Sequence, residues 1–218
     1  MQKAIAKYTI PGLLENRLNK ALPGYEKQIE LAPINASAYM DPKVDHRIAS
    51  VMILLYPVEN QWKITYIKRT SHNPHDRHAG QISFPGGKKD LEDHSNLACA
   101  LRETEEEIGV DRNQIKVLGA LTSLYVHVSN FLVYPFVGFL EEEPVFIPQD
   151  SEVADILTPS LDYLNNDKNL KKGDISARGM IIKDMPYFDL QGKVLWGATA
   201  MITAEFLTIY REAIKDYI

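Results

Sequence analysis

The apolar residues of this chain fall into short blocks whose spacing switches between helical and extended. Ile10 to Leu22 carries them at helical spacing, which predicts an N-terminal helix ending before Pro23-Gly24. Residues 25–46 mix prolines with polar residues and read as a connecting arm. Ala49 to Tyr56 is a continuous apolar run and reads as a buried strand. After a turn at Pro57–Gln61, Trp62 to Lys68 alternates and predicts its antiparallel partner. Thr70 to His78 is polar and reads as a loop, and Gln81 to Phe84 as a short strand. Ile115–Leu121 and Phe131–Leu140 predict further strands, with Thr122–Asn130 as a loop or hairpin connection. Val153–Tyr163 suggests a short helix or turn, Gly179–Ile182 a strand, and Gly197–Tyr217 a long C-terminal helix. Strands around one central helix, with helices at both ends, predict a mixed α/β sandwich.

The central helix follows Phe84-Pro85-Gly86-Gly87, and Asp93 or Ser95 is placed to cap it. At about 100° per residue, Glu103, Glu106 and Glu107 share an arc of roughly 100°. Leu97, Ala100, Leu101, Thr104 and Ile108 form a separate, core-facing arc. Like charges at such spacings weaken a helix. A solvated acidic stripe is one reading; a hard divalent cation held by carboxylate oxygens is the other. Gly86-Gly87 reads as a loop whose backbone approaches a pyrophosphate or metal. Arg102 sits beside the acidic face and is placed to orient a glutamate by a bidentate contact. Gly109 is a natural C-cap.

Gly87 with Arg102-Glu103-Thr104-Glu105-Glu106-Glu107-Ile108-Gly109-Val110 resembles the Nudix box, G-x5-E-x7-R-E-U-x-E-E-x-G-U, where U is aliphatic. Thr104 takes an aliphatic slot. Fourteen residues, not thirteen, separate Gly87 from Arg102, and Glu92-Asp93-His94 stands where the first glutamate belongs. The longer spacing, the upstream Arg69-Thr70-Ser71 and His78-Ala79-Gly80-Gln81-Ile82-Ser83-Phe84-Pro85-Gly86-Gly87, and the late Trp196-Gly197-Ala198-Thr199-Ala200 resemble the coenzyme A diphosphatase branch of that family. The resemblance implies an α/β/α sandwich with a mixed sheet, with the N-terminal helix and arm over residues 1–46 and the Nudix domain over 47–218. It implies Mg²⁺ or Mn²⁺ as cofactor. Glu103 and Glu107 are then the leading ligands, Glu106 a bridging ligand or base, and the Gly87 carbonyl and Glu152 further candidates. Glu152 also reads as a residue favoured at a helix N-terminus. Arg102, Glu103 and Glu106 make up the expected catalytic set.

Composition narrows the partners. A net charge of -5 over 218 residues gives no general attraction to nucleic acid. Phosphate binding would then fall to local cations: Lys68, Arg69, Arg77, Lys88 and Lys89, with His78 beside them. Cys99 is the sole cysteine, so an intrachain disulfide is excluded; a small semi-buried filler is expected there. His72, His75 and His78 recur at threes but lack a matching fourth zinc ligand. His127 is an ordinary loop histidine or a further substrate contact. No leader-like or membrane-length apolar segment stands out, so a cytoplasmic protein without membrane contact, and a candidate homodimer, is the expectation. Three functions are carried forward. The first is hydrolysis of coenzyme A or acyl-coenzyme A to 3′,5′-ADP and 4′-phosphopantetheine. The second is a diphosphatase acting on ADP-ribose, NADH or another nucleoside diphosphate derivative. The third is a nucleotide-binding regulatory module without turnover.

Overall fold

The computed structural model describes residues 9–32, 41–71, 78–177 and 179–217. In chain order come α1 (Thr9–Leu18), α2 (Tyr25–Gln28), β1 (Arg47–Val58), β2 (Gln61–Ile64), β3 (Tyr66–Arg69), β4 (Ile82–Ser83) and β5 (Gly86–Lys88). Then follow α3 (Asn96–Ile108), β6 (Lys116–Ala120), β7 (Leu124–Val126), β8 (Phe131–Phe139), β9 (Val153–Leu157) and α4 (Leu161–Leu164). The last elements are β10 (Leu170–Ala177), β11 (Met180–Leu190), β12 (Lys193–Leu195) and α5 (Gly197–Ile214).

β1 organises the molecule, and its unbroken apolar run has a simple cause. Met52, Leu54 and Tyr56 pack into one core with Ala100 and Ile108 of α3. Ile53 and Leu55 face a second core with α1 and with Phe206, Leu207 and Tyr210 of α5. Both faces are covered, so alternation has nothing to select. β1 pairs in parallel with β8, from Arg47 opposite Phe131 to Leu55 opposite Phe139. On its other edge it pairs antiparallel with β2 and with β5. β6 and β7 pair with β8. The result is an α/β/α sandwich with a mixed sheet, flanked by N- and C-terminal helices.

Several elements differ from the sequence expectations. The alternating segment Trp62–Lys68 is two strands. β2 stays with β1, whereas beyond the buried Thr65 the chain enters a second sheet, β4-β3-β9. Gly86-Gly87 is not a loop: it lies in β5, with Gly87 opposite Ser50 and Gly86 opposite Val51. Val153–Leu157 is a strand because it pairs with β3, and the helical turn α4 follows it. The arm holds α2, and the 122–130 connection holds β7. A third sheet, β10-β11-β12, stands where only Gly179–Ile182 was expected as strand. β10 carries Lys171, Lys172 and Asp174 on exposed positions, which hides its pattern.

The N-terminal segment is tied down by a buried carboxylate. Glu205 of α5 is fully buried and accepts from Gly24 N at 3.1 Å, Thr122 Oγ1 at 2.7 Å and Gln28 Nε2 at 2.8 Å. Such a charge is tolerated in a core only when several donors replace water. Among the described residues, no helix is long and apolar enough to cross a membrane.

Candidate active site

α3 places the carboxylates. Ser95 caps its start, its Oγ accepting from Ala98 N at 3.0 Å, and Gly109 closes it in a left-handed conformation. Of the two candidate caps, Ser95 serves the helix and Asp93 is released for another task. Thr104 fills its aliphatic slot without strain: it is fully buried, and its hydroxyl donates to Ala100 O at 2.7 Å.

Arg102 gathers the acidic residues. Its Nε and Nη2 donate to the two oxygens of Asp93 at 3.0 and 2.8 Å. Its Nη1 donates to Glu103 Oε1 and Glu106 Oε2, both at 2.9 Å, and Nη2 also reaches Lys88 O at 3.3 Å. Asp93 is buried and accepts a further bond from Asp90 N at 2.9 Å. The Arg102 guanidinium, opposing the cost of burial, holds the Asp93 carboxyl at about 2. Asp93 thus takes the acidic position that the extra residue before α3 left open, with a side chain one methylene shorter than glutamate. Arg102 is thus engaged with three carboxylates and a carbonyl.

Two glutamates lie against the glycine strand. Glu107 is 1 % exposed, and its Oε2 accepts from Gly86 N at 2.8 Å. Its Oε1 is buried, has no hydrogen-bond partner among the described residues, and sits 3.6 Å from Arg69 Nη1. Burial pushes its carboxyl up to about 8, against the pull of the Gly86 N–H and Arg69. Burial also raises Glu103, against the pull of Arg102. Glycines are required here. A Cβ on Gly87 would lie 2.5 Å from Glu103 Oε2, and one on Gly86 would strike Ser50 O and lie 2.6 Å from Val51 Cα.

Glu106 is exposed and drawn towards Arg102. Glu152 is exposed, and its charge adds to the upward push on both Glu103 and Glu107. It precedes β9 and not a helix, so the helix-end reading of Glu152 is set aside. Among the described residues, no three His, Cys, Asp or Glu side chains already stand together as an ion would hold them. The donor set nevertheless fits a hard divalent ion. It consists of oxygens, two of its carboxylates are desolvated, and Glu107 Oε1 is a buried acceptor with no hydrogen-bond donor among the described residues. Cys99 is fully buried, deeper than expected, and burial pushes its thiol up to about 11; it fills space beneath Gly87 O.

A cavity of about 540 Å³ opens beside the glycine strand. Arg69, His78 and Lys88 line it, and His78 Nδ1 lies 3.1 Å from Gln81 Oε1. Arg77, like His72 and His75, lies outside the described residues. Trp196, Gly197, Ala198 and Thr199 form one wall, which gives the late sequence element a place at the site. His127 lines another. Sequence reasoning missed Ser83, Ala177, Met180 and Ile182 as wall residues. The last three come from β10 and β11, whose pairing was not legible.

A comparison with family models matches the NUDIX domain over residues 46–179. Among relatives, the chain is 37 % identical over 125 residues to a protein of Photorhabdus laumondii named uncharacterized Nudix hydrolase NudL, covering 57 % of this chain and 66 % of that one. It is 42 % identical over 86 residues to the like-named protein of Pectobacterium atrosepticum, covering 39 % and 44 %. The matches thus span two thirds or less of these relatives. Among solved structures, a MutT/nudix family protein from Enterococcus faecalis aligns with a TM-score of 0.51 at 17 % identity, covering 91 % of this chain and 76 % of that one, which bears on the fold alone. The family match spans more than half of the chain, and with the box residues gathered on α3 and β5 it identifies the protein as a member of the Nudix family.

Proposed function

We propose that the chain is a divalent-metal-dependent diphosphatase acting on a nucleoside diphosphate derivative, and that its substrate is coenzyme A or an acyl-coenzyme A. One observation carries this reading: Glu103 and Glu107 lie against Gly86-Gly87, and those glycines line a large, mainly apolar cavity. Glu103 and Glu107 would hold the ion, with Glu106, Glu152 and the Gly87 carbonyl completing its shell. Bound there, Mg²⁺ or Mn²⁺ would neutralise pyrophosphate charge and acidify a water.

The protein's own residues supply the rest. Asp93 fixes the Arg102 guanidinium, and Arg102 fixes Glu103 and Glu106. Of the three glutamates on α3's acidic face, Glu106 is the exposed one, which suits it to accept a proton from the attacking water. Arg69 and Lys88 offer positive charge to the phosphates, and His78 a polar edge. Attack of water at phosphorus then breaks one bridging P–O bond and yields 3′,5′-ADP and 4′-phosphopantetheine. Late-chain support comes from the Trp196–Thr199 wall, which brings the branch-like element to the same cavity.

Product analysis tests the proposal. Coenzyme A, ADP-ribose, NADH and a nucleoside triphosphate are offered separately with Mg²⁺ or Mn²⁺. Release of 3′,5′-ADP, fastest from coenzyme A and stopped by chelator, is the expected result. Faster cleavage of another substrate would overturn the coenzyme A assignment, and no cleavage of any would favour a binding module.

A further inference from the structure

Glu152 stands on a short turn that is tied at both ends. At its base, Ile147 N donates to Ile108 O at 2.9 Å and Gln149 N donates to Glu107 O at 3.0 Å, which fastens the segment to the end of α3. Gln149 O then accepts from Glu152 N and Val153 N, both at 2.9 Å, and closes the turn. At the tip the partner is Thr70, the residue that follows β3. Thr70 N donates to Glu152 O at 2.8 Å, and Thr70 Oγ1 donates to Ser151 O at 3.0 Å.

The strand pairing shows why a tie falls at this point. β9 runs against β3 with Asp155 opposite Lys68, but Val153 stands opposite Arg69, so the register shifts at Ala154. Such a bulge interrupts the ladder and re-aims the side chains beside it. Beyond it, the two bonds from Thr70 take over from regular pairing. Adjacent residues at the end of β3 thus reach two different acidic segments: Arg69 lies 3.6 Å from Glu107, and Thr70 holds the Glu152 turn.

Electrostatics works against this arrangement. Glu152 is exposed, and its charge acts on the carboxyls of both Glu103 and Glu107. Repulsion between like charges favours a turn that swings out into water. The backbone bond of Thr70 is open to any residue with an N–H, whereas the bond to Ser151 O needs a side-chain hydroxyl.

We propose that Thr70 is a positioning residue: its hydroxyl, through Ser151 O, holds the Glu152 turn towards the acidic face of α3 and so preorganises the Glu152 carboxylate for the divalent ion. This role rests on the reading of Glu152 as part of that ion's shell. A ligand held in place before the ion arrives needs less ordering when it binds, so loss of the tie weakens binding without removing a ligand.

Calorimetric titration of the full chain with Mn²⁺ tests this role without any substrate. Thr70→Val keeps the shape of the side chain and removes the hydroxyl, while Thr70→Ser keeps the hydroxyl. Mn²⁺ should bind at least about tenfold more weakly to Glu152→Gln. It should bind about three- to tenfold more weakly to Thr70→Val, and within about twofold of the parent to Thr70→Ser. Adding Thr70→Val to Glu152→Gln should weaken binding by less than about twofold further, because the carboxylate to be positioned is already gone. Unchanged near-ultraviolet circular dichroism in the variants establishes that the fold persists. Parent-like affinity in Thr70→Val, an equal loss in Thr70→Ser, or a full additional loss in the double variant would each overturn the role of Thr70 while leaving Glu152 as a ligand. Parent-like affinity in Glu152→Gln, or no binding of Mn²⁺ to the parent, would instead remove the reading of the ion's shell and the role of Thr70 with it.

Discussion

Asp93 shows how one side chain changes the meaning of its neighbours. Its carboxylate gives Arg102 a fixed, two-point anchor, and Arg102 in turn sets Glu103 and Glu106. Asp93→Asn should cost about 2–4 kcal/mol in chemical unfolding, since it leaves the Arg102 charge without its main partner. The pH sign follows from the depressed carboxyl. Its pKa falls from 3.8 unfolded to about 2 folded, so its contribution is complete above about 3.8 and is lost as pH falls through about 2. Urea midpoints measured from pH 5 down to pH 2 should therefore converge for parent and Asp93→Asn as acid is added. Parallel curves would show that Asp93 carries no such linkage. Glu107→Gln keeps the shape and the Gly86 contact but removes the anionic ligand proposed for the metal. Hydrolysis should drop on the order of 10²–10³-fold with the melting temperature at pH 7 nearly unchanged. An active Glu107→Gln enzyme would remove Glu107 from the site.

At the scale of elements, β5 and α3 act as one unit, and two adjacent glycines have different jobs within it. A methyl at Gly86 would meet the backbone of β1, which has no room to yield. Gly86→Ala should cost about 2–4 kcal/mol and fold poorly. A methyl at Gly87 would meet the end of the Glu103 side chain, which can swing away. Gly87→Ala should fold normally but bind Mn²⁺ at least about tenfold more weakly by calorimetry. Equal stability of the two variants would contradict this division. The amphipathic pattern of α3, its acidic face and its Gly109 end were all readable from spacing. That Gly86-Gly87 forms a strand was not, because the pairing with Ser50 and Val51 lies more than thirty residues away in sequence.

At the scale of the whole molecule, the sandwich depends on ties between its ends. Glu205 joins α5 to Gly24, Gln28 and Thr122, and so holds α1, α2 and the β6–β7 connection to one face of the sheet. Glu205→Ala should destabilise the protein by about 3–5 kcal/mol, with amide exchange rising first around Gly24–Leu31. Uniform exchange across the chain would argue against a local tie. The split of the Trp62–Lys68 pattern between two sheets belongs to this scale as well. Alternation specifies an extended segment with two faces, but it does not name the partner, and β1 and β9 compete for different halves of it.

The sequence by itself determined the periodic elements, the burial of β1, the carboxylate face of α3 and the family, because each is written in residues close together along the chain. Only the tertiary structure decided that Asp93 holds Arg102, that Glu107 is desolvated against Gly86, and that β10, β11 and the start of α5 close a cavity beside them. Those properties depend on which distant segments exclude water from one another. Burial and the electrostatics it strengthens are set by three-dimensional neighbours, which local spacing does not encode.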